Sequence, residues 1–393
     1  MPGAGSRCGS APEHDSGALC RARHYAEPRA GSYALRMLNT ASVQIDLNAI
    51  RENLAVVRSL CPHSRIMAMV KADAYGHGIV PVAKALVAAD GLAVAHLSEA
   101  RLLRGAGITQ RLLLLATLLD AAELAWCSNQ GIDVTAHDQS SVAAIAASAR
   151  HAPLRVWLKL DSGMHRVGLD PGEFVEADRL LSGHTGISEL VHMTHFANAG
   201  DPDSTAMDSQ LSCFWKCHQA NPAAQVSLAN SAALITRPET RADWVRPGIM
   251  LYGDNPVAAR QPLPLRAAMT LRARIVAIRN IAANESVGYN ARWTSIRPSR
   301  IATVGIGYGD GYPRHAANGT PVWIDGQLAP LIGTISMDSI GVDVTDCQHA
   351  SVSGVVSLWG TELPAATIAE HASTISYELF TALSQRVNRE YLA

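Results

Sequence analysis

The chain has 393 residues, a formal net charge of −1 and 48% hydrophobic residues, enough for two sizeable globular domains. Its near-neutral balance gives no electrostatic footing for nucleic acid or an acidic membrane as partner. Seven scattered cysteines, an odd number, point to free thiols in a reducing compartment, the cytoplasm, rather than to a disulfide framework. Cys213 and Cys217 have the spacing of a metal half-site, but no second Cys/His pair of matching spacing answers them, so no metal is expected. No apolar run approaches the roughly 20 residues of a membrane span.

Residues 1–40 are rich in Gly, Ala, Ser, Pro and Arg, lack periodicity and contain no apolar signal core. They read as a disordered leader, with Met37 as an alternative start. From Ser42 onward the chain alternates between helical and extended patterns. Residues 46–60 read as a helix, with Leu47, Ile50, Leu54 and Val57 on one face. Eight apolar runs follow: 66–71, 92–95, 111–116, 132–135, 154–160, 190–195, 225–230 and 243–246. They are continuous rather than alternating, as strands buried on both faces should be. Eight βα units over residues 41–267 predict an α/β fold of (β/α)8 barrel type. An open doubly wound sheet is disfavoured, because no Gly-x-Gly-x-x-Gly follows the first run.

From residue 268 to 393 the pattern becomes β-rich: 270–278, 300–306, 322–324, 328–332, 339–344 and 352–358. Asp325-Gly326 is a hairpin signal between two of these runs. Helices are expected at 365–372 and 377–387, the second of which could equally be a tail packed on the barrel.

Chemistry in such barrels gathers at the C-terminal ends of the strands. Lys71 closes the first run, ahead of Tyr75 and Gly76-His77-Gly78. A lysine leaving a buried strand is a candidate Schiff-base amine, since desolvation favours the neutral, nucleophilic form. Lys159 and Asp161 end the fifth run, followed by Arg166. His195 ends the sixth, Asn230 and Ser231 the seventh, and Arg246, Gly248 and Ile249 the eighth. Loops after strands seven and eight often bind phosphate, and Ser231 and the Gly248-Ile249 backbone supply donors. Each residue alone has a plain reading: solvated cap, core histidine or salt-bridge partner. The segment 307–312 (G-Y-G-D-G-Y) lacks the spacing of a nucleotide loop and reads as a turn. The case rests on five strand ends converging with an amine, two guanidiniums, an imidazole and a phosphate cradle.

With these motifs in this order, from about Ala41 to the C-terminus, the chain resembles the bacterial alanine racemases. They are pyridoxal-phosphate enzymes with a barrel and a mostly β second domain. The resemblance is carried by segments 68–78, 158–168 (L-K-L-D-S-G-M-H-R-V-G), 193–197, 229–232, 245–253 (V-R-P-G-I-M-L-Y-G), 285–289, 305–312, Met337-Asp338 and Tyr377. It implies that Lys71 binds the cofactor covalently and acts as base on one face of the substrate. Tyr289 would be the base on the other face, supplied by the partner subunit of a homodimer. Tyr75, Ser231, Tyr377 and the backbone of Gly248 and Ile249 would hold the phosphate, with Asn230 beside them. Arg166 and the Met337 N–H would hold the substrate carboxylate. His195 would hydrogen-bond both Tyr289 and Arg246.

A phenol titrates at about 10, so positive charge must help Tyr289 act as a base. Arg246 at the ring nitrogen is always charged and only donates. It should leave that nitrogen unprotonated and favour fast return of the proton over transamination. Lys159 is a carbamylation candidate, as in some family members, the new anion orienting Arg166.

Four positions depart from the commoner pattern: Asn290, His165, Ser336 and Asn388. None removes a reacting group, and Asn290 bears most on side-chain specificity. The expected function is racemisation of alanine, supplying D-alanine for peptidoglycan or serving alanine catabolism. Rival readings are a broader amino-acid racemase, a barrel-type decarboxylase and a non-catalytic cofactor carrier.

Overall fold

The computed structural model describes residues 40–115, 118–150, 153–201, 203–257 and 261–393; the leader reading lies outside them. The first strand, β1 (Ala41–Asp46), leads into helix Leu47–Leu60. Asp46 starts that helix by accepting the Ala49 N–H at 3.0 Å, a side-chain N-cap. Ile50, Leu54 and Val57 then point into the core.

Eight parallel strands close into a barrel: β2 (Arg65–Met69), β3 (Gly91–Val94), β4 (Leu112–Leu114), β5 (Ile132–Ala136), β6 (Leu154–Lys159), β7 (Ile187–Met193), β8 (Gln225–Asn230) and β9 (Trp244–Arg246). β9 pairs back onto β2 through Arg65↔Trp244 and Ile66↔Val245. The continuous apolar runs thus mark these strands because helices cover one face and barrel side chains fill the other. At the N-terminal end of the barrel, fully buried Asp133 accepts from Arg111 (2.7 Å), Arg155 (2.6 Å) and the Trp157 indole (2.8 Å). Those bonds compensate a buried charge that would otherwise be costly.

The second sheet is built from β10 (Met269–Ile281), β13 (Ser299–Val304), β14 (Pro321–Ile324), β15 (Gln327–Ile332), β16 (Ile340–Asp343) and β17 (Val355–Trp359). A small ribbon, β11 (Ser286–Val287) and β12 (Trp293–Thr294), projects between β10 and β13. β10 is long enough to pair with β17 at one end and β13 at the other, so the sheet circles back on itself. The Asp325-Gly326 hairpin forms as expected, both residues at positive φ (46° and 85°) between Ile324 and Gln327.

Two differences from the sequence reading matter. β1 does not join the barrel that follows it. It pairs antiparallel with β10 and parallel with β18 (Asn388–Leu392) in the second sheet. The last helix also ends at Ala382 rather than Val387, and the chain turns into β18. Both strands are invisible locally because their partners lie hundreds of residues away in sequence.

Asn53, fully buried in the first helix, ties that helix to the segment that follows β9. Its amide donates to the carbonyls of Leu251 (3.1 Å) and Arg266 (2.8 Å) and accepts the Arg266 N–H (2.8 Å). Asn53→Leu fills the space but orphans three main-chain groups. Chemical denaturation should show a loss of about 2–4 kcal/mol; an unchanged midpoint would mean that water or a neighbour takes over these groups.

Candidate active site

A cavity of about 570 Å3 opens where the barrel strands end. Residues following β2, β6, β7, β8 and β9 line it, and helix Ser376–Ala382 adds Tyr377. Lys71, Tyr75, Lys159, Arg166, His195, Asn230, Ser231, Arg246, Gly248, Ile249 and Tyr377 all meet there. Tyr289 and Met337 do not line this cavity in their own chain, and are 66% and 53% exposed.

Lys71 stands just beyond β2, on a turn rather than in the strand. Ala72, Asp73, Ala74 and Tyr75 all have φ between 52° and 54°, a single left-handed turn without a glycine. Such backbone costs roughly 1–2 kcal/mol per residue and persists only where surroundings hold it. The Asp73 carboxylate accepts the Ile79 N–H (2.7 Å), Glu99 accepts the Ala72 N–H (2.7 Å), and Arg389 on β18 donates to Gly76 O (3.0 Å). Burial, then the Arg166 charge, lowers the proton affinity of Lys71, while Glu99 opposes the shift. The amine is therefore readier than a surface lysine to act as nucleophile and base.

Arg246 is buried and firmly held. Nη1 donates to Ser227 O (2.8 Å) and Oγ (2.7 Å), and Nη2 to Thr194 O (2.6 Å) and Leu228 O (3.2 Å). Nε alone has no protein partner among the described residues. The expected hydrogen bond from His195 to Arg246 is absent; strand carbonyls occupy the guanidinium instead. Burial, then Arg246, Lys159, Arg166 and Lys71, pushes the pKa of His195 down to about 3, so it is neutral in working conditions. Lys159 is lowered to about 8 by burial and then by Arg246, Arg166 and Lys71.

The cradle at the ends of β8 and β9 is equally specific. The Gly248 N–H donates to Ser231 Oγ at 2.8 Å. A Cβ at position 248 would lie 2.4 Å from the Tyr75 hydroxyl, so only glycine admits that approach. Burial raises the pKa values of Tyr75 and Tyr377, the latter to about 12, which keeps both phenols as neutral donors. Asn230 lines the cavity, but its side-chain oxygen caps helix Ser231–Thr236 by accepting the Ala233 N–H (2.9 Å). Arg166 rides a loop wound around Asp161, whose Oδ1 accepts N–H groups from Gly163 (2.9 Å), Met164 (3.0 Å) and His165 (3.0 Å).

Some contributors were not singled out from sequence. Tyr252 stacks on Tyr75 (4.8 Å) and donates to Met69 O (2.8 Å). Its only signal was its place in the 245–253 motif. Arg386 ties Asp338 (2.6 Å) to Asp310 (3.3 Å), fixing the loop that carries Met337. Gly307–Gly311 accordingly packs as a short turn against that loop, with Gly309 N–H bonded to Met337 O (2.8 Å). Asn290 and His165 sit at φ 62° and 56°, left-handed backbone that non-glycine residues adopt sparingly.

Residues 45–256 match the family model of the alanine racemase N-terminal domain, and residues 268–391 that of its C-terminal domain. The catabolic alanine racemase of Pseudomonas putida is 44% identical over 358 residues, 90% of this chain and 99% of that protein. The chain belongs to the alanine racemase family. It is accordingly an enzyme of the isomerase class. An alanine racemase of Chromohalobacter salexigens is 45% identical over 351 residues, 88% of this chain and 96% of that protein. The biosynthetic alanine racemase of Pseudomonas aeruginosa superimposes with a TM-score of 0.87 at 42% identity, over 91% of this chain and 100% of that one. That of Bartonella henselae, solved with covalently bound pyridoxal phosphate, gives 0.82 at 31% identity, over 90% and 99%. The family uses pyridoxal phosphate. The donors here fit that group: an amine of lowered proton affinity, a hydroxyl-lined cradle and one unpartnered guanidinium N–H. No helix among the described residues is long and apolar enough to cross a membrane.

His77 offers a test of this frame. It is fully buried between Tyr252 (4.5 Å) and Phe380 (5.2 Å), and its Nδ1–H donates to Tyr75 O (2.9 Å). Burial lowers its pKa from 6.5 to about 4. The unfolded chain therefore binds a proton that the folded one rejects. The stability that His77 contributes is complete above about pH 6.5 and declines as pH falls toward 4, by up to about 1.4 kcal/mol per pH unit. Urea unfolding should show a flatter slope between these pH values for His77→Asn; an identical slope would place the titration elsewhere.

Proposed function

We propose that the chain is a pyridoxal-phosphate-dependent alanine racemase using two bases, Lys71 and Tyr289, on opposite faces of the substrate carbon. The observation that carries the reading is Lys71, a cavity amine of lowered proton affinity, sharing its cavity with an Arg246 whose Nε–H faces no acceptor among the described residues. When bound, pyridoxal phosphate supplies the electron-withdrawing ring that acidifies the substrate Cα–H.

The protein does the rest. Tyr75, Ser231, Tyr377 and the Gly248-Ile249 backbone hold the phosphate, and Asn230 shapes the helix start beside it. Arg246 donates to the ring nitrogen, and neutral His195 adds no further charge next to it. Arg166 and the Met337 N–H, which has no acceptor among the described residues, hold the substrate carboxylate. Lys71 moves the proton on one face and Tyr289 on the other. Since Tyr289 and Met337 lie outside their own chain's cavity, a homodimer that exchanges them completes each site. A soluble cytoplasmic enzyme acting on a free amino acid, without nucleic-acid or membrane partners, suits the composition. Relatives named catabolic and biosynthetic both match, so the same reversible step fits D-alanine supply for peptidoglycan or alanine catabolism.

Lys71→Ala should abolish the visible absorbance of bound cofactor; a retained band would mean that another lysine binds it. Tyr289→Phe should keep that band yet lose isotope exchange from L-alanine. Mixing the two variants should restore roughly a quarter of native turnover, because half of the random dimers then hold one intact site. No recovery would refute the shared site. Parallel assays with serine and longer amino acids distinguish the broader racemase.

Lys159 is the proposed carbamylation site. Its neutral amine adds to carbon dioxide, an N–C bond forms and one proton leaves, replacing the neutral amine by an anion among Arg246, Arg166 and Lys71. Isotopically labelled bicarbonate should give a carbamate carbon resonance that Lys159→Ala removes; an unlabelled lysine would end this assignment.

A further inference from the structure

Glu99 is the third residue of helix Leu97–Gly105, where a glutamate ordinarily closes a capping box on its own helix. One of its oxygens does that, Oε2 accepting from the N–H groups of Ala95 (2.9 Å) and His96 (3.0 Å) at the end of β3. Its other oxygen does something the cap does not require. Oε1 crosses to the neighbouring βα unit and accepts the Ala72 N–H at 2.7 Å. Glu123 occupies the same position in helix Ala121–Asn129 and, among the described residues, bonds only its own cap, the Asp120 N–H at 3.2 Å.

The residue Glu99 reaches is the first of the four left-handed positions, directly after Lys71. A backbone conformation that opposes the local preference needs outside bonds to persist. Glu99 also pulls a proton toward Lys71 while Arg166 repels one. We propose that Glu99 is a positioning residue: its carboxylate latches the left-handed turn to the end of β3 and so sets where the Lys71 amine stands. This rests on the cofactor role proposed for Lys71.

Glutamine cannot substitute. Both oxygens of Glu99 accept main-chain N–H groups, so an amide must point its NH2 at a donor on one side. Glu99→Gln is compared with Glu123→Gln, the same change at a helix cap that does not bond the Lys71 turn. Hydrogen exchange of the cofactor-free protein reads the latch directly. Over residues 70–78 it should quicken about tenfold or more in Glu99→Gln and stay native in Glu123→Gln. Pyridoxal phosphate titration, with borohydride reduction and peptide mapping of the label on Lys71, reads the consequence. Half-saturation should rise about tenfold in Glu99→Gln alone, at a melting temperature matching Glu123→Gln.

If both variants behave alike in exchange and titration, Glu99 is only a cap and the proposal is overturned. If Glu99→Gln does not fold, Glu99→Asp, one methylene shorter, is read in the same way. If the native protein takes no label at Lys71, the cofactor role fails, while the exchange result still decides the latch.

Discussion

Four cations, Lys71, Lys159, Arg166 and Arg246, share one cavity with a single carboxylate, Glu378 at its rim. Most of the site's behaviour follows from that imbalance. Buried charge must be paired, hydrogen-bonded or given up. Arg246 cannot give up its proton, so strand carbonyls and a serine hydroxyl surround it. Lys71 and Lys159 can, and both have lowered proton affinity. His195, placed among them, stays neutral. Glu99 and Asp161 offset this positive charge only in part, so the cavity favours ligands that bring negative charge, such as a phosphate and a carboxylate.

Holding these groups in place is a task shared by both halves of the fold. The barrel delivers strand ends, but the Lys71 turn runs against the local backbone preference. Its bonds come from β3 through Glu99, from its own Asp73, and from β18 through Arg389. β18 is in position only because β1 lies between it and β10 in the second sheet. The termini of the described chain therefore support the reactive lysine from outside the barrel. A change in the second sheet can reach Lys71 through β18 and Arg389 without touching the cavity wall.

The barrel was legible because a strand buried on both faces is apolar throughout, and eight such runs recur at regular intervals. Strand ends fell within a few residues of their expected places. The Lys71 turn was not legible. Nothing in Ala72-Asp73-Ala74-Tyr75 announces left-handed backbone, which tertiary bonds impose. β1 and β18 were missed since pairing across hundreds of residues leaves no local trace. Asn230 was placed correctly at a strand end, yet its oxygen serves a helix cap, a distinction only geometry makes. Tyr289 and Met337 came from resemblance, because no periodicity could connect residues of the second domain to a cavity that their own chain does not let them reach.

Arg246 shows how far a fixed hydrogen-bond pattern limits chemistry. Its two terminal nitrogens are each bound twice by the protein, so the guanidinium can offer only Nε and cannot swing away. In the proposed reaction a carboxylate at that position would draw a proton onto the ring nitrogen and stabilise negative charge there. A donor that never loses its own proton does the opposite. In that reaction, charge at the substrate carbon would be poorly stabilised and would be quenched by the nearest acid. With the two bases proposed, Lys71 on one face and Tyr289 on the other, that acid would be the group that has just taken the proton or the one still holding its own. Return from either face yields alanine, and only the choice of face decides the enantiomer.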